Sequence, residues 1–101
     1  MTQTRLCRTP TPGKQGTPVP EWKFDAVRGA ILAAVQEAGR DGVAFADLSG
    51  EVRARLPDEV LGRLGSVGWH VTVVKLEMEV AGDLARRAVR GRQRLVAGPK
   101  R

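Results

Sequence analysis

The chain has 101 residues, enough for one domain with a modest core, and carries a net charge of +6. A single cysteine excludes an intrachain disulfide, and no apolar run is long enough to span a bilayer or placed like a secretory signal. These features predict a cytoplasmic protein, and the basic charge favours a polyanionic partner.

Residues 1–20 are predicted to form a flexible basic arm. Four of the six prolines lie there, and the segment has too few apolar side chains to build a core. Its three basic residues have no acidic neighbour within the segment, so we expect phosphate contacts from the arm, with Lys14 as a candidate. The sequence GKQG lacks the spacing and the Ser/Thr of a phosphate-binding loop, which excludes that kind of site.

Helices are predicted next. Apolar side chains recur at three- and four-residue steps over residues 21–38, which predicts an amphipathic helix that ends at a glycine. A brief strand at residues 43–45 and a second helix at residues 47–56 follow, the helix capped by Asp47. Pro57 either stops that helix or starts another turn.

The third predicted helix runs between Ser66 as N-cap and Gly82 as stop, and it is apolar on two sides. One side is expected to face the core and consists of Val67, Val71, Val74, Met78 and Ala81. The opposite side is a candidate interface and consists of Trp69, Val73, Leu76 and Val80. Because a helix with two apolar sides needs two partners, the second side is expected to contact the wing and arm or another subunit.

The polar residues of the third helix form only narrow strips. They offer three candidate contacts to nucleic acid, namely Thr72, Lys75 and His70. Glu77 and Glu79 would repel phosphates if they faced a duplex. The sequence therefore predicts a weak reader of base edges and places most of the binding in other elements.

A β-hairpin is predicted over residues 84–97, with its turn at Arg90-Gly91, and residues 98–101 are a tail. The hairpin supplies the remaining candidate nucleic-acid contacts, Arg86, Arg87, Arg90, Arg92 and Arg94. Alternation along a strand puts Arg86 and Arg87 on opposite faces, so we expect only three or four of the five arginines to reach one polyanion.

The order helix, short strand, helix, helix, hairpin resembles the winged helix-turn-helix superfamily over residues 21–97. The segments FADL, GSVGW and KLEMEVAGDLARR carry the resemblance. It implies an α+β fold with a three-helix core and a C-terminal β-hairpin wing. The chain is also similar to a small group of uncharacterised bacterial proteins with a PGKQG arm and a GSVGW…VKLE helix, from which no function follows.

Two functions fit these features. The first is a DNA-binding module, such as a small transcriptional regulator, that holds double-stranded DNA mainly through the wing and the arm. The alternative is a protein-interaction domain or homodimer that uses the Trp69 side of the third helix without specific readout of DNA. We expect no enzyme, cofactor, metal or small-molecule ligand. One histidine and one cysteine cannot supply four zinc ligands, and no acidic pair is spaced for acid–base catalysis.

Overall fold

The computed structural model describes residues 3–10, 13 and 15–99. These residues form four α-helices, with one antiparallel hairpin before them and one after them in the chain, which confirms the predicted α+β class. The elements in chain order are β1 (Thr4–Cys7), β2 (Thr17–Pro20), α1 (Glu21–Ala38), a short 3-10 helix (Gly39–Asp41), α2 (Phe45–Arg55), α3 (Asp58–Leu64), α4 (Val67–Ala81), β3 (Leu84–Val89) and β4 (Arg92–Ala97).

Helix α1 has the predicted bounds and lies at the centre of the core, where it packs against α2 and α4. Its apolar stripe is buried as expected, with Phe24, Val27, Ile31 and Val35 at most 1% exposed. Gly39 ends the helix with a φ of 64°, a conformation that glycine adopts without the clash of a Cβ atom.

The segment after α1 differs from the prediction. Helix α2 begins at Phe45 with Ala44 as N-cap, so Asp47 lies in its first turn and is not its cap. Residues 58–64 form a separate helix, α3, after Pro57, at which the sequence predicted either a stop or another turn. Its first turn contains two acidic residues, which the positive end of a helix favours. The described residues therefore contain four helices instead of the predicted three.

Helix α4 has the predicted caps. The Ser66 hydroxyl accepts a hydrogen bond from the Trp69 N–H at 3.2 Å, and Gly82 closes the helix in the left-handed region. Four residues of the predicted core side are buried against the other helices, namely Val67, Val71, Val74 and Met78. This helix contacts α1, α2, α3 and both hairpins, so its side chains connect most of the molecule.

The prediction of a flexible arm is wrong for the described residues of the N-terminal segment. Strands β1 and β2 pair in antiparallel register, and their side chains Cys7 and Val19 are 3% and 0% exposed. The misleading signal came from Pro18 and Pro20. Two prolines at alternate positions of one strand both lack an N–H on the same edge, so a two-stranded hairpin accommodates them on its open side.

The C-terminal hairpin has the predicted strands and turn. Leu84 and Leu95 at its base are 2% and 3% exposed, so they join the core. The predicted strand at residues 43–45 is reduced to Val43, which exchanges two backbone hydrogen bonds with Leu95, at 2.9 and 2.8 Å. This contact ties the hairpin to the connection between α1 and α2.

Candidate nucleic-acid interface

The register of the C-terminal hairpin sorts its arginines between two faces. Directly paired residues of an antiparallel ladder share a face, and the pairs Arg87–Arg94 and Val89–Arg92 lie on the same one. Arg86 pairs with Leu95 and lies on the opposite face. We call the first set, together with the turn residue Arg90, the wing face: Arg87, Arg90, Arg92 and Arg94.

The turn places Arg90 at the end of the hairpin. Arg90 and Gly91 have φ values of 52° and 78°, as the two central residues of a type I′ turn require. Between this turn and the 3-10 helix lies a cleft of 320 Å³, lined by Arg90, Arg92, Arg94, Val89 and Asp41. Three basic residues and one acidic residue thus line the cleft.

Positive charge on the wing face is largely uncompensated. Arg87 and Arg94 lie directly opposite each other, an arrangement in which like charges repel. Within the described residues no carboxylate forms an ion pair with Arg87, Arg90 or Arg92. The Nε of Arg94 donates a 3.2 Å hydrogen bond to the backbone carbonyl of Asp41, which orients this guanidinium without neutralising it.

Arg86, one of the five predicted contacts, lies on the opposite face of the hairpin from Arg87, as strand alternation predicts, and is therefore not part of the wing face. Its guanidinium donates to the carboxylate of Glu79 on α4, and that contact raises the pKa of Arg86 above its ordinary value. Lys75 pairs with the same carboxylate through an Nζ–Oε2 distance of 3.0 Å. Burial raises the pKa of Glu79, but the hydrogen bonds from Arg86 and Lys75 outweigh it and leave the pKa below its usual range.

Two of the three predicted contacts on α4 are unavailable as well. Lys75 is only 7% exposed, and its ammonium lies 4.7 Å from the centre of the Phe45 ring. His70 is 7% exposed, and its Nδ1 lies 2.6 Å from the Ser66 carbonyl oxygen. Thr72 is exposed, although its hydroxyl donates to the Gly68 carbonyl at 2.9 Å. His70 and Lys75 lie on sides of α4 that other elements cover. The spacing of apolar residues along the helix does not show that these sides are covered.

The N-terminal basic residues make internal contacts. Arg5 lies over the Phe24 ring at 4.5 Å, and Arg8 binds the buried carboxylate of Glu77 at 2.7 Å. Lys14, the predicted contact in this segment, lies outside the described residues. Glu77, expected from the sequence to repel phosphates, instead holds the hairpin of β1 and β2 against α4.

The candidate interface on α4 is exposed in part. Trp69 is 47% exposed and Val80 37%, whereas Val73 and Leu76 are half-buried. The Trp69 ring meets the His70 ring edge to face with centroids 4.8 Å apart. The second apolar side predicted for this helix therefore faces outward.

Sequence reasoning missed three residues near the wing. Asp41 lines the cleft with the arginines, and Phe45 and Gln93 line a neighbouring hollow of 220 Å³ with Lys75 and Arg86. Phe45 is the first residue of α2, which begins two residues earlier than predicted, and it is 48% exposed. Nothing in the sequence pattern of residues 43–45 marks that ring as exposed.

The described residues were also compared with what a metal site and a membrane span require. In that part of the chain no group of three or more His, Cys, Asp or Glu side chains could hold a metal ion. None of its helices combines the length and the apolar character needed to cross a membrane.

Comparison with known proteins identifies a family whose function is unknown. No curated protein and no solved structure matches the chain. One family model matches residues 5–95, which run from Arg5 of β1 to Leu95 of β4 and include all four helices. The chain therefore belongs to DUF6958, a family of unknown function.

Proposed function

We propose that the protein is a DNA-binding module that holds the phosphate backbone of a duplex with its wing face. The observation that carries this proposal is the cross-strand pair of Arg87 and Arg94, which has Arg92 on the same face and no carboxylate in an ion pair with Arg87 or Arg92 among the described residues. Such a pair is unfavourable by itself, because the two like charges repel across the ladder. An anion lying between the guanidiniums removes that repulsion, and phosphates along a duplex supply anions at short, regular intervals.

We also propose that the arrangement is a winged helix-turn-helix in which α3 is an additional helix between the second and the last. Two observations support this. The elements follow the order helix, short extended segment, helices, hairpin, and the extended residue Val43 pairs with the second strand of the hairpin at Leu95. The hairpin then occupies the position of a wing beside the helices.

Binding by the wing face is expected to be insensitive to sequence. Direct readout needs polar side chains that reach base edges, and α4 offers only Thr72 to solvent from the three residues predicted for that purpose. Arginines that contact phosphates position a protein on DNA without reading its bases. The module is thus suited to an accessory or regulatory protein whose site selection comes from another component.

The test is fluorescence anisotropy with a labelled random-sequence duplex over a salt series, comparing Arg87→Gln/Arg92→Gln with the natural chain. Each phosphate contact contributes about 0.9 to the slope of log affinity against log salt, so the double variant should lower the slope by about 1.8. Arg53→Gln/Arg63→Gln removes the same charge from exposed positions on α2 and α3 and should change the slope much less. Equal losses in both double variants, or no binding at low salt, would refute the proposal.

A second candidate is a protein-interaction domain. It is favoured by the outward-facing apolar side chains of α4, since exposed aromatic and aliphatic residues are typical of protein interfaces. This candidate uses a surface that shares no residue with the wing face, so the two functions are compatible in one molecule.

A further inference from the structure

A hollow of 220 Å³, which we call the Phe45 hollow, adjoins the wing face. Residues from the start of α2, from α4 and from the C-terminal hairpin line it, namely Phe45, Lys75, Arg86, Gln93, Arg94 and Leu95. Pockets for drug-sized ligands begin at about 300 Å³, so the Phe45 hollow suits a smaller group, such as a single planar ring system.

The ring of Phe45 gives this hollow an aromatic surface. Phe45 is 48% exposed, and the Lys75 ammonium lies over the ring, 4.7 Å from its centre. Within the described residues no other aromatic ring stacks on it. Exposed aromatic rings beside basic side chains are the surfaces on which proteins stack unpaired nucleic-acid bases.

The side chain of Gln93 adds a polar group to the hollow. Gln93 is exposed, and its amide makes no hydrogen bond with the described part of the chain. An amide offers both donors and an acceptor, which match the polar edge of a base; glutamine contacts adenine in this way. The hollow thus combines a stacking surface with a group that can hydrogen-bond to a base edge.

Charge makes the hollow less suited to a phosphate than the wing face is. Glu79 pairs with both of its cations that belong to neither the turn nor the wing face, Lys75 and Arg86. Arg87, Arg90 and Arg92 on the wing face have no such partner among the described residues. A neutral ring therefore fits the hollow, and phosphates fit the wing face beside it.

Arg94 connects the hollow with the wing face. It lines both the Phe45 hollow and the cleft at the turn, and its hydrogen bond to the Asp41 carbonyl orients the guanidinium. Because a single sugar joins each base to the backbone, a strand with a phosphate at Arg94 carries a base close to the hollow.

We propose that the Phe45 hollow takes up one unpaired base of the DNA strand whose phosphates contact the wing face. This inference rests on the proposed function and names its preferred partner, a duplex that contains an unpaired base. In a fully paired duplex the bases are stacked inside the helix. Moving a base out of the stack costs least where the base has no pairing partner.

Fluorescence anisotropy with three duplexes of the same flanking sequence tests the inference. One duplex is fully paired, one has an extra unpaired adenine, and one has an abasic sugar at that extra position. The natural chain should bind the duplex with the unpaired adenine at least about fivefold more tightly than the other two, which is the effect expected from stacking of one base on an aromatic ring.

The abasic duplex has the same interruption of the backbone but no base to stack. Equal affinity for the adenine and abasic duplexes would overturn this inference and leave the proposed function standing, provided that the paired duplex still binds with the expected salt dependence. Absence of binding to all three duplexes would refute the proposed function itself.

Phe45→Ala should lose the preference for the unpaired adenine. Its affinity for the paired duplex and the salt slope of that binding should not change, because the wing face is intact. The matched control Trp69→Ala removes a ring that is 47% exposed and does not line the hollow, and it should keep the preference. A preference that survives in Phe45→Ala, or that both variants lose equally, would overturn the inference.

A chemical measurement on the natural chain keeps the inference testable if Phe45→Ala fails to fold. Permanganate oxidises an unpaired thymine by attack on the face of its ring. In a duplex with an extra unpaired thymine, binding of the protein should lower this reactivity, because stacking on Phe45 covers a face of the base. Unchanged reactivity at saturating protein would overturn the inference.

Discussion

Arg8 and Glu77, 69 positions apart in the sequence, form the contact that fixes the N-terminal hairpin to α4. The Arg8 backbone N–H and Nε both donate to Oε1 of Glu77, at 2.9 and 2.8 Å, and Nη2 donates to Oε2 at 2.7 Å. The carboxylate side chain is 2% exposed and the arginine 54%. Because the hydrogen bonds from Arg8 favour the charged form, they hold the pKa of Glu77 below its usual range.

Glu77→Ala is expected to lower the free energy of unfolding by about 1–3 kcal/mol, because hydrogen bonds to a charged acceptor are lost and a backbone N–H loses its partner. Urea unfolding followed by circular dichroism measures the change. The control Glu59→Ala removes an exposed carboxylate of α3 and should cost less than about 0.5 kcal/mol. Equal costs for the two variants would show that the contact does not hold the hairpin.

Acid should destabilise the protein partly through Glu77 and Glu79, whose pKa values are both lowered by their cationic partners. A lowered pKa in the folded state gives stability that is complete above the unfolded value of about 4.3 and is lost as the pH falls through the folded value. Thermal unfolding from about pH 7 to about pH 3 should show Tm falling below that pH. Glu77→Gln should flatten this decline, and an unchanged decline would contradict the assignment.

Cys7 should react slowly with thiol reagents while the chain is folded. Burial, with a further contribution from the charge of Glu77, raises the pKa of its thiol to about 11 from 9.0. At pH 8 this lowers the thiolate fraction about a hundredfold, and the thiolate is the reactive form. Labelling with a disulfide reagent in buffer and in denaturant measures the difference. Similar rates in both would mean that β1 detaches readily from the core.

Gly42→Ala should destabilise the protein more than Gly39→Ala. Both glycines have positive φ, 67° and 64°, so an alanine strains the backbone by about 1–3 kcal/mol at either position. Only at Gly42 does the added Cβ also collide, lying 2.6 Å from the Leu95 carbonyl oxygen, whereas nothing lies within 4 Å at Gly39. The difference between the urea concentrations at which the two variants are half unfolded measures the cost of the collision at Gly42. Equal urea midpoints for the two variants would show that β4 moves away from the added Cβ without a loss of stability.

Helices α1 and α4 and the C-terminal hairpin were predictable because each has a local signal. Helices α1 and α4 follow from apolar periodicity and from glycine stops at Gly39 and Gly82. The turn at Arg90-Gly91 follows from strand alternation on both sides of a glycine. Strand register then assigns arginines to faces, so most of the wing face could be derived from the sequence.

Contacts between distant segments could not be predicted in the same way. The pairing of Arg8 with Glu77 and the pairing of Arg86 with Glu79 depend on where β1 and β3 pack against α4. The same packing buries His70 and Lys75, which a helical projection leaves on polar strips. Charge patterns in a sequence show which residues are basic, whereas tertiary packing decides which of them are neutralised within the molecule.

The hydrogen bonds between Val43 and Leu95 lie near the base of the C-terminal hairpin, and Leu95 is four residues after Gly91 of its turn. At about 3.3 Å per residue, the turn projects about 13 Å beyond this attachment. Lengthening or shortening the two strands would therefore change the reach of the arginines without altering the core.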